Sequence, residues 1–300
     1  MSAKVLITGG TGLVGTELTR ILTKKGFEVS HLSRKANSES AIPVYAWNVT
    51  NGTIDEEALA VDHIVHLAGA GVADQKWTNS RKEIIYQSRI ASTELLKEKV
   101  SALGIKLKSF ISASAIGYYG LDTADETMTE ESPSANDFLA GVVKDWEAAA
   151  DQFENLSDRV VKVRIGIVLA KHGGALPKLV QPVKYGVGAP LGDGSQYMSW
   201  IHLRDLVAIF SWALENEIDG VFNAVAPEAV SNKKMTQEIA SVLNRPLLLP
   251  QVPSFALKFL LGEMSGIVLG GNKVSSKKLV DAGFNFEFQS VTEALRDLLK

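Results

Sequence analysis

The chain opens with an apolar strand that feeds directly into a glycine-spaced turn: Lys4-Val5-Leu6-Ile7-Thr8 is followed by Gly9-Gly10-Thr11-Gly12-Leu13-Val14-Gly15. Side chains in front of a helix N-terminus would block its free amides, so glycines at three-residue intervals leave those amides open to a phosphate group. Gly9 permits the tight turn, Gly12 brings the backbone up to the phosphates, and Gly15 lets the helix pack closely on its strand. The flanks agree with this reading. Val5, Leu6 and Ile7 form the continuous apolar run of a buried parallel strand, and Leu13, Val14, Leu18, Ile21 and Leu22 recur at helical spacing. These features predict a dinucleotide-binding strand-turn-helix unit, with Gly10, Thr11, Leu13 and Val14 in the same cradle.

The alternation continues along the chain. Gly26 ends the first helix and Phe27–Leu32 reads as a second strand, with further strands expected at 44–47, 63–67, 110–114 and 160–168. Helical stretches are expected over 81–103 and 137–153. The pattern predicts an α/β fold, a Rossmann-type doubly wound parallel sheet, over residues 1–169. Past Ala170 the texture changes, as Gly173, Gly174, Pro177, Pro182, Gly186, Gly188, Pro190, Gly192 and Gly194 crowd a short span. Trp200-Ile201-His202 then leads into a helix and 221–225 reads as a strand, so 196–226 is expected to return to the sheet. The remainder of 170–300 is expected to form a smaller C-terminal substrate lobe, covering a crevice beyond the strand C-termini.

Three hundred residues with 46% hydrophobic content support a full core. A net charge of -3 lacks the basic excess of a phosphate-backbone binder, so a small-molecule substrate is expected and no nucleic-acid partner. Without cysteine there is no disulfide and no thiolate metal site, and no His, Asp and Glu cluster has metal-ligand spacing, so no metal is expected. No stretch approaches the roughly 18 to 20 apolar residues of a span, so no membrane partner is expected. The absence of an apolar leader adds the expectation of a cytoplasmic protein. The oligomeric state is open at this level.

Where an NAD enzyme places a carboxylate for the adenosine ribose, the end of the second strand carries Ser33-Arg34-Lys35. A guanidinium and a hydroxyl there bind a 2′-phosphate, and the absence of a carboxylate removes the repulsion that would exclude it. NADP is therefore the expected cofactor, although a basic turn also serves solubility alone. Leu67-Ala68-Gly69-Ala70 ends the fourth strand with small residues that let the chain run past the cofactor.

At this point the residues resemble the extended short-chain dehydrogenase/reductases, the superfamily of nucleotide-sugar epimerases and dehydratases. Residues 8–15 match its T-G-x-x-G-x-x-G form, His66-Leu67-Ala68-Gly69 its strand-four motif, and Ser112-Ala-Ser-Ala-Ile-Gly-Tyr-Tyr-Gly120 its serine-bearing strand. Gly192-Asp-Gly-Ser-Gln196, Ser199-Trp-Ile-His202, Asp205, Asn223-Ala-Val-Ala-Pro227 and Gly283-Phe284 resemble an epimerase-like branch with its own C-terminal extension. The resemblance implies that Ser33, Arg34, Leu67, Ala68, Arg89 and Val168 contact NADP. It also implies oxidoreductase or epimerase chemistry on a small polar substrate, with a nucleotide-sugar as the class to test.

The superfamily's chemistry uses a tyrosine and, four residues later on the same helix face, a lysine that lowers its pKa. Here that motif is missing: no tyrosine occurs between Tyr119 and Tyr185, and Ala140 stands four residues before Lys144. Phe138, Val142, Trp146, Ala149 and Phe153 form an apolar stripe on that segment, the pattern of core packing. The catalytic candidates are Ser114, as a hydrogen-bond donor to a substrate oxygen, and Tyr118 or Tyr119 as an acid. His66 and His202 read as structural histidines, and Asp125–Glu131 as a charged surface loop. An NADP-dependent oxidoreductase or epimerase is the leading reading. A non-catalytic NADP-binding redox sensor or regulatory protein stands beside it.

Overall fold

The computed structural model describes residues 2–37 and 39–300. Its centre is one sheet of eight strands: β1 (Lys4–Thr8), β2 (Glu28–Ser33), β3 (Val44–Asn48), β4 (Thr53–Ile54), β5 (His63–His66), β6 (Ser109–Ala115), β7 (Val160–Ile165) and β8 (Gly220–Ala224). Their order across the sheet is β8-β7-β6-β5-β1-β2-β3-β4. All neighbours pair in parallel except β3 and the short edge strand β4. The order reverses at β1, which lies between β2 and β5, and a crevice opens at the C-terminal ends of the strands at that point.

Alternation along each strand sends successive side chains to opposite faces. Val5 and Ile7 of β1 join the cluster that holds Leu18 and Leu22 of α1 (Leu13–Lys24), whereas Leu6 joins Ile64 and Phe110 on the other face. Between β5 and β6 run α2 (Asn79–Gln87) and α3 (Ile90–Ala102), and between β6 and β7 runs α4 (Phe138–Asp151). Leu96 and Val100 of α3 and Ala150 of α4 cover the Leu6 face with Phe153. Leu206 and Phe210 of α5 (Leu203–Glu215) join the opposite cluster with α1. The start of α4 is set by Asp137, whose carboxylate accepts from Ala140 N at 3.1 Å.

Two expected elements are divided. The strand expected over 160–168 breaks at Gly166, where a Cβ would lie 2.5 Å from Ser199 O and 2.7 Å from Val225 Cγ1. Beyond it Ile167–Ala170 leaves the main sheet and pairs with Trp200–His202. The helix expected over 81–103 breaks at Ser88, whose hydroxyl bonds Ile85 O at 3.1 Å and accepts from Ala70 N at 2.9 Å. That bond ties the break to the loop after β5. The C-terminal region packs helices Leu176–Lys184, Asn232–Val242 and Val291–Leu299 around a separate cluster containing Trp200, Met235, Ile239 and Leu295.

Phe153 is fully buried and stacks on Phe110 with ring centroids 3.7 Å apart. Phe153→Ala should therefore cost about 3–5 kcal/mol in urea denaturation, and a loss below about 1 kcal/mol would contradict this packing.

Candidate functional site

Gly9 has φ +69°, and a Cβ there would lie 3.1 Å from the Leu67 carbonyl, so the turns after β1 and β5 meet backbone to backbone. A Cβ on Gly15 would lie 2.7 Å from Gly10 Cα, which places Gly15 against the turn itself. Gly12 caps α1 with no side-chain hydrogen bond, and the first turn carries no acidic residue. The cradle therefore offers amides and positive dipole to an anion, with no side-chain cap on Gly12.

Beneath the turn lies His31, only 7% exposed, its ring so close that a Cβ on Gly10 would sit 2.5 Å from its Cγ. Thr19 Oγ1 donates to Gly15 O at 2.7 Å and therefore accepts from His31 Nε2, also at 2.7 Å. Burial holds the His31 pKa below its ordinary value, so the ring is a neutral prop for the turn.

A second histidine ties the turn to its neighbours. Thr8 Oγ1 accepts from the amides of Leu67 and Ala68, each at 3.1 Å, so its own proton goes to His66 Nδ1 at 2.8 Å. The hydroxyls of Ser92 and Thr93 donate to backbone carbonyls of the α3 start and lie 3.2 and 3.1 Å from His66 Nε2, which donates to them. Full burial pushes the His66 pKa down to about 3. The ring is thus neutral and structural.

Around the cradle, Ser33 is half-buried and Arg34 and Lys35 are exposed. Ser33 and Lys35 line a cleft of about 630 Å³ with Thr11, His31, Asn37 and Ser40. On the other side, Arg89 lies over Gly69, where a Cβ would be 3.2 Å from the guanidinium carbon. Arg89 Nη1 donates to Ile85 O at 2.9 Å, and the guanidinium lies 5.1 Å from the Trp146 ring centroid. Among the described residues it has no carboxylate partner. Burial, with Arg81 nearby, pushes its pKa down to about 10. Val168 leads into a hairpin whose Gly173 packs on Leu13, so that hairpin reaches the cradle as well.

The catalytic candidates lie one strand further along. Ser112 pairs with His66, so Ser114 stands level with the Leu67–Gly69 turn. Its hydroxyl, 2% exposed, donates to Glu147 Oε1 at 2.5 Å. Glu147, on α4, is held in a two-pronged ion pair by Arg164 of β7, with Nε and Nη2 each 2.8 Å from a carboxylate oxygen. Arg164 Nη1 also donates to the Tyr119 hydroxyl at 2.9 Å, and that hydroxyl donates to Asn223 Oδ1 at 2.7 Å. Tyr119 is 4% exposed and burial raises its pKa. Both hydrogen-bonding directions of its hydroxyl are thus engaged within the core. The Tyr118 ring lies 3.5 Å from the Arg164 guanidinium carbon and is partly exposed.

Glu147 and Arg164 escaped the sequence reading because each shares its element with other charged residues, Lys144, Asp145 and Asp151 in α4 and Lys162 in β7. An arginine inside Val-Val-Lys-Val-Arg-Ile and a glutamate among Trp and Ala are a signal in themselves, since buried charges require a partner. Lys144 points to solvent, so no ammonium takes the superfamily lysine's place on this helix. Glu130, from the acidic loop, accepts from Asn223 N at 2.8 Å and so anchors the end of that loop. His202 caps α5, its Nδ1 accepting from Arg204 N at 3.0 Å, and stacks on Phe288. No metal-ligand cluster occurs among the described residues.

Residues 5–224 match the model of the NAD dependent epimerase/dehydratase family, and residues 252–298 match a domain of unknown function, DUF1731. The chain is 36% identical over 299 residues to epimerase family protein YfhF of Bacillus subtilis (strain 168), covering 98% of this chain and 97% of the relative. A crystal structure of human epimerase family protein SDR39U1 with NADPH is similar with a TM-score of 0.87 and 31% identity, over 98% of both chains. A nucleoside-diphosphate sugar epimerase from Corynebacterium glutamicum gives a TM-score of 0.81 at 33% identity, covering 99% of this chain and 58% of that one.

Burial keeps His66 neutral to about pH 3 and His63 and His202 neutral to about pH 4, whereas in the unfolded chain each takes a proton near pH 6.5. Below pH 6.5 the unfolded state therefore binds more protons and folding weakens as pH falls. Between pH 6.5 and 5 each histidine should remove roughly 1.5–2 kcal/mol of stability. Chemical denaturation across that range checks this, and a flat profile would contradict it.

Proposed function

The chain belongs to the NAD-dependent epimerase/dehydratase family, with a distinct C-terminal extension, and from that premise we propose that it is an NADP(H)-dependent oxidoreductase acting on a small polar substrate of the nucleotide-sugar class. The observation that carries the cofactor choice is the end of β2, where Ser33 and Lys35 line the cleft with Asn37 and Ser40, Arg34 stands exposed between them, and Ser33-Arg34-Lys35 carries no carboxylate. The NADPH in the human relative's structure supports the same choice, and the sugar-nucleotide epimerase relative supports the substrate class.

The residues present fit the cofactor. The side-chain-free cradle over α1 and the carboxylate-free Arg89 would hold its diphosphate, Ser33, Arg34 and Lys35 its 2′-phosphate, and Leu67, Ala68, Gly69 and Val168 would line its path. When bound, the nicotinamide supplies two-electron redox chemistry. The chain's own part is to position the substrate. Ser114 keeps its proton on Glu147 Oε1, which leaves the Ser114 oxygen free to accept from a substrate hydroxyl. Ser114 so held orients the substrate hydroxyl, and Arg164 fixes the carboxylate on which that orientation depends. Tyr118, at the same end of the sheet, would lend its hydroxyl to the substrate, while Tyr119 positions Arg164.

A second reading rests on the missing tyrosine: with Ala140 at its place and Lys144 in solvent, the chain would bind NADP without turnover, as a redox sensor or regulator. One set of titrations separates the readings. NADPH should bind about ten- to a hundredfold more tightly than NADH, and Arg34→Ala should remove most of that gap. Ser114→Ala should leave the NADPH affinity intact and lower NADPH consumption with a panel of keto-sugar nucleotides by about a hundredfold or more. Equal NADPH and NADH affinities would overturn the cofactor choice. Absence of turnover throughout that panel, with tight NADPH binding, would favour the second reading.

A further inference from the structure

Two stretches of the C-terminal region run side by side on the surface. Val252 N donates to Pro190 O at 2.8 Å and Gly192 N to Val252 O at 2.9 Å, and a Cβ on Gly188 would lie 3.2 Å from Leu247 Cδ2. Among the described residues, the six large apolar side chains more than half exposed are all here: Tyr185, Val187, Leu248, Phe255, Phe259 and Leu260. Phe259 is 91% exposed. The helix Ser254–Leu261 sets Phe255 and Phe259 one turn apart with Leu260 beside them, and buries only Leu257. A contiguous apolar surface of this kind marks a contact site rather than scattered exposure.

Charge distinguishes what covers it. Residues 176–192 and 244–261 contain Lys178, Lys184, Arg245 and Lys258 and no Asp or Glu, with Asp193 and Glu263, the latter paired with Lys82, just beyond their ends, in a chain whose net charge is -3. Lys184, Arg245 and Lys258 are exposed, and none is in an ion pair among the described residues. A two-fold interface between copies would turn this basic face on itself and set like charges together. Exposed apolar side chains on stretches whose exposed cations are unpaired match an anionic lipid surface instead. We propose that this face of the C-terminal lobe docks on an anionic membrane surface, with Phe255, Phe259 and Leu260 entering the boundary between headgroups and acyl chains and Lys184, Arg245 and Lys258 meeting lipid phosphates.

The expectation of no membrane partner rested on the lack of a span, and no helix among the described residues is long and apolar enough to cross a bilayer. Peripheral docking is a different geometry. It needs one amphipathic face.

Co-sedimentation of the full chain with vesicles tests this directly. The chain should partition onto vesicles of equal parts phosphatidylserine and phosphatidylcholine, bind pure phosphatidylcholine vesicles far more weakly, and dissociate as salt rises. The double variants Phe255→Ser/Phe259→Ser and Lys184→Glu/Lys258→Glu should each lower partitioning about tenfold or more, with thermal unfolding midpoints unchanged as the control for folding. Failure to bind the anionic vesicles, or equal binding to both kinds, overturns the proposal. A concentration-dependent dimer abolished by the phenylalanine variants, without vesicle binding, assigns the face to a second copy of the chain.

Discussion

One buried imidazole fixes the geometry on which the crevice depends. His66 ends β5, receives the proton of Thr8 at the end of β1, and gives its own to the hydroxyls that open α3. Three elements distant in sequence are thereby held at one level, just where the strand order reverses. The amides of Leu67 and Ala68 are drawn onto Thr8, which sets the β5 turn against Gly9 with no room for a side chain between them. Arg89, at the start of α3, lies over Gly69 through the same arrangement. A neutral ring suits this role, since a charged one at that depth would need an anion, and the site would then present the wrong sign to a phosphate.

The second constraint is the ion pair of Glu147 and Arg164. Glu147 lies on the buried side of α4, as does Ala140, and its ion pair engages Ser114 and Tyr119 at once. Burial makes such a pair costly to form and more costly to break, because removing either partner leaves the other uncompensated. Its orientation is therefore fixed. In the proposed function this rigidity is what holds the buried Ser114 hydroxyl in a single orientation. Membership of the epimerase family and the loss of its tyrosine motif are compatible on these terms.

The sheet was legible because local signals agree with the fold: the apolar run of residues 5–7, the glycine turn and the helical spacing from Leu13 each imply the next. The glycine turn was legible for the same reason, since it is a contiguous piece of chain. Glu147 and Arg164 lie 17 residues apart on different elements, and their pairing follows from how α4 crosses the sheet, which no local spacing encodes. The breaks at Gly166 and Ser88 were hidden likewise. In each, the deciding atom belongs to a distant segment, Ser199 O in one case and Ala70 N in the other.

The most direct test of the account is a crystal structure of this chain grown with NADPH. The account places the diphosphate on the first amides of α1 beside Arg89, and the 2′-phosphate against Ser33, Arg34 and Lys35. Density for the nucleotide in that position, with His66 and His31 unmoved, would support it. A nucleotide bound elsewhere, or a cradle that stays empty at saturating NADPH, would contradict it.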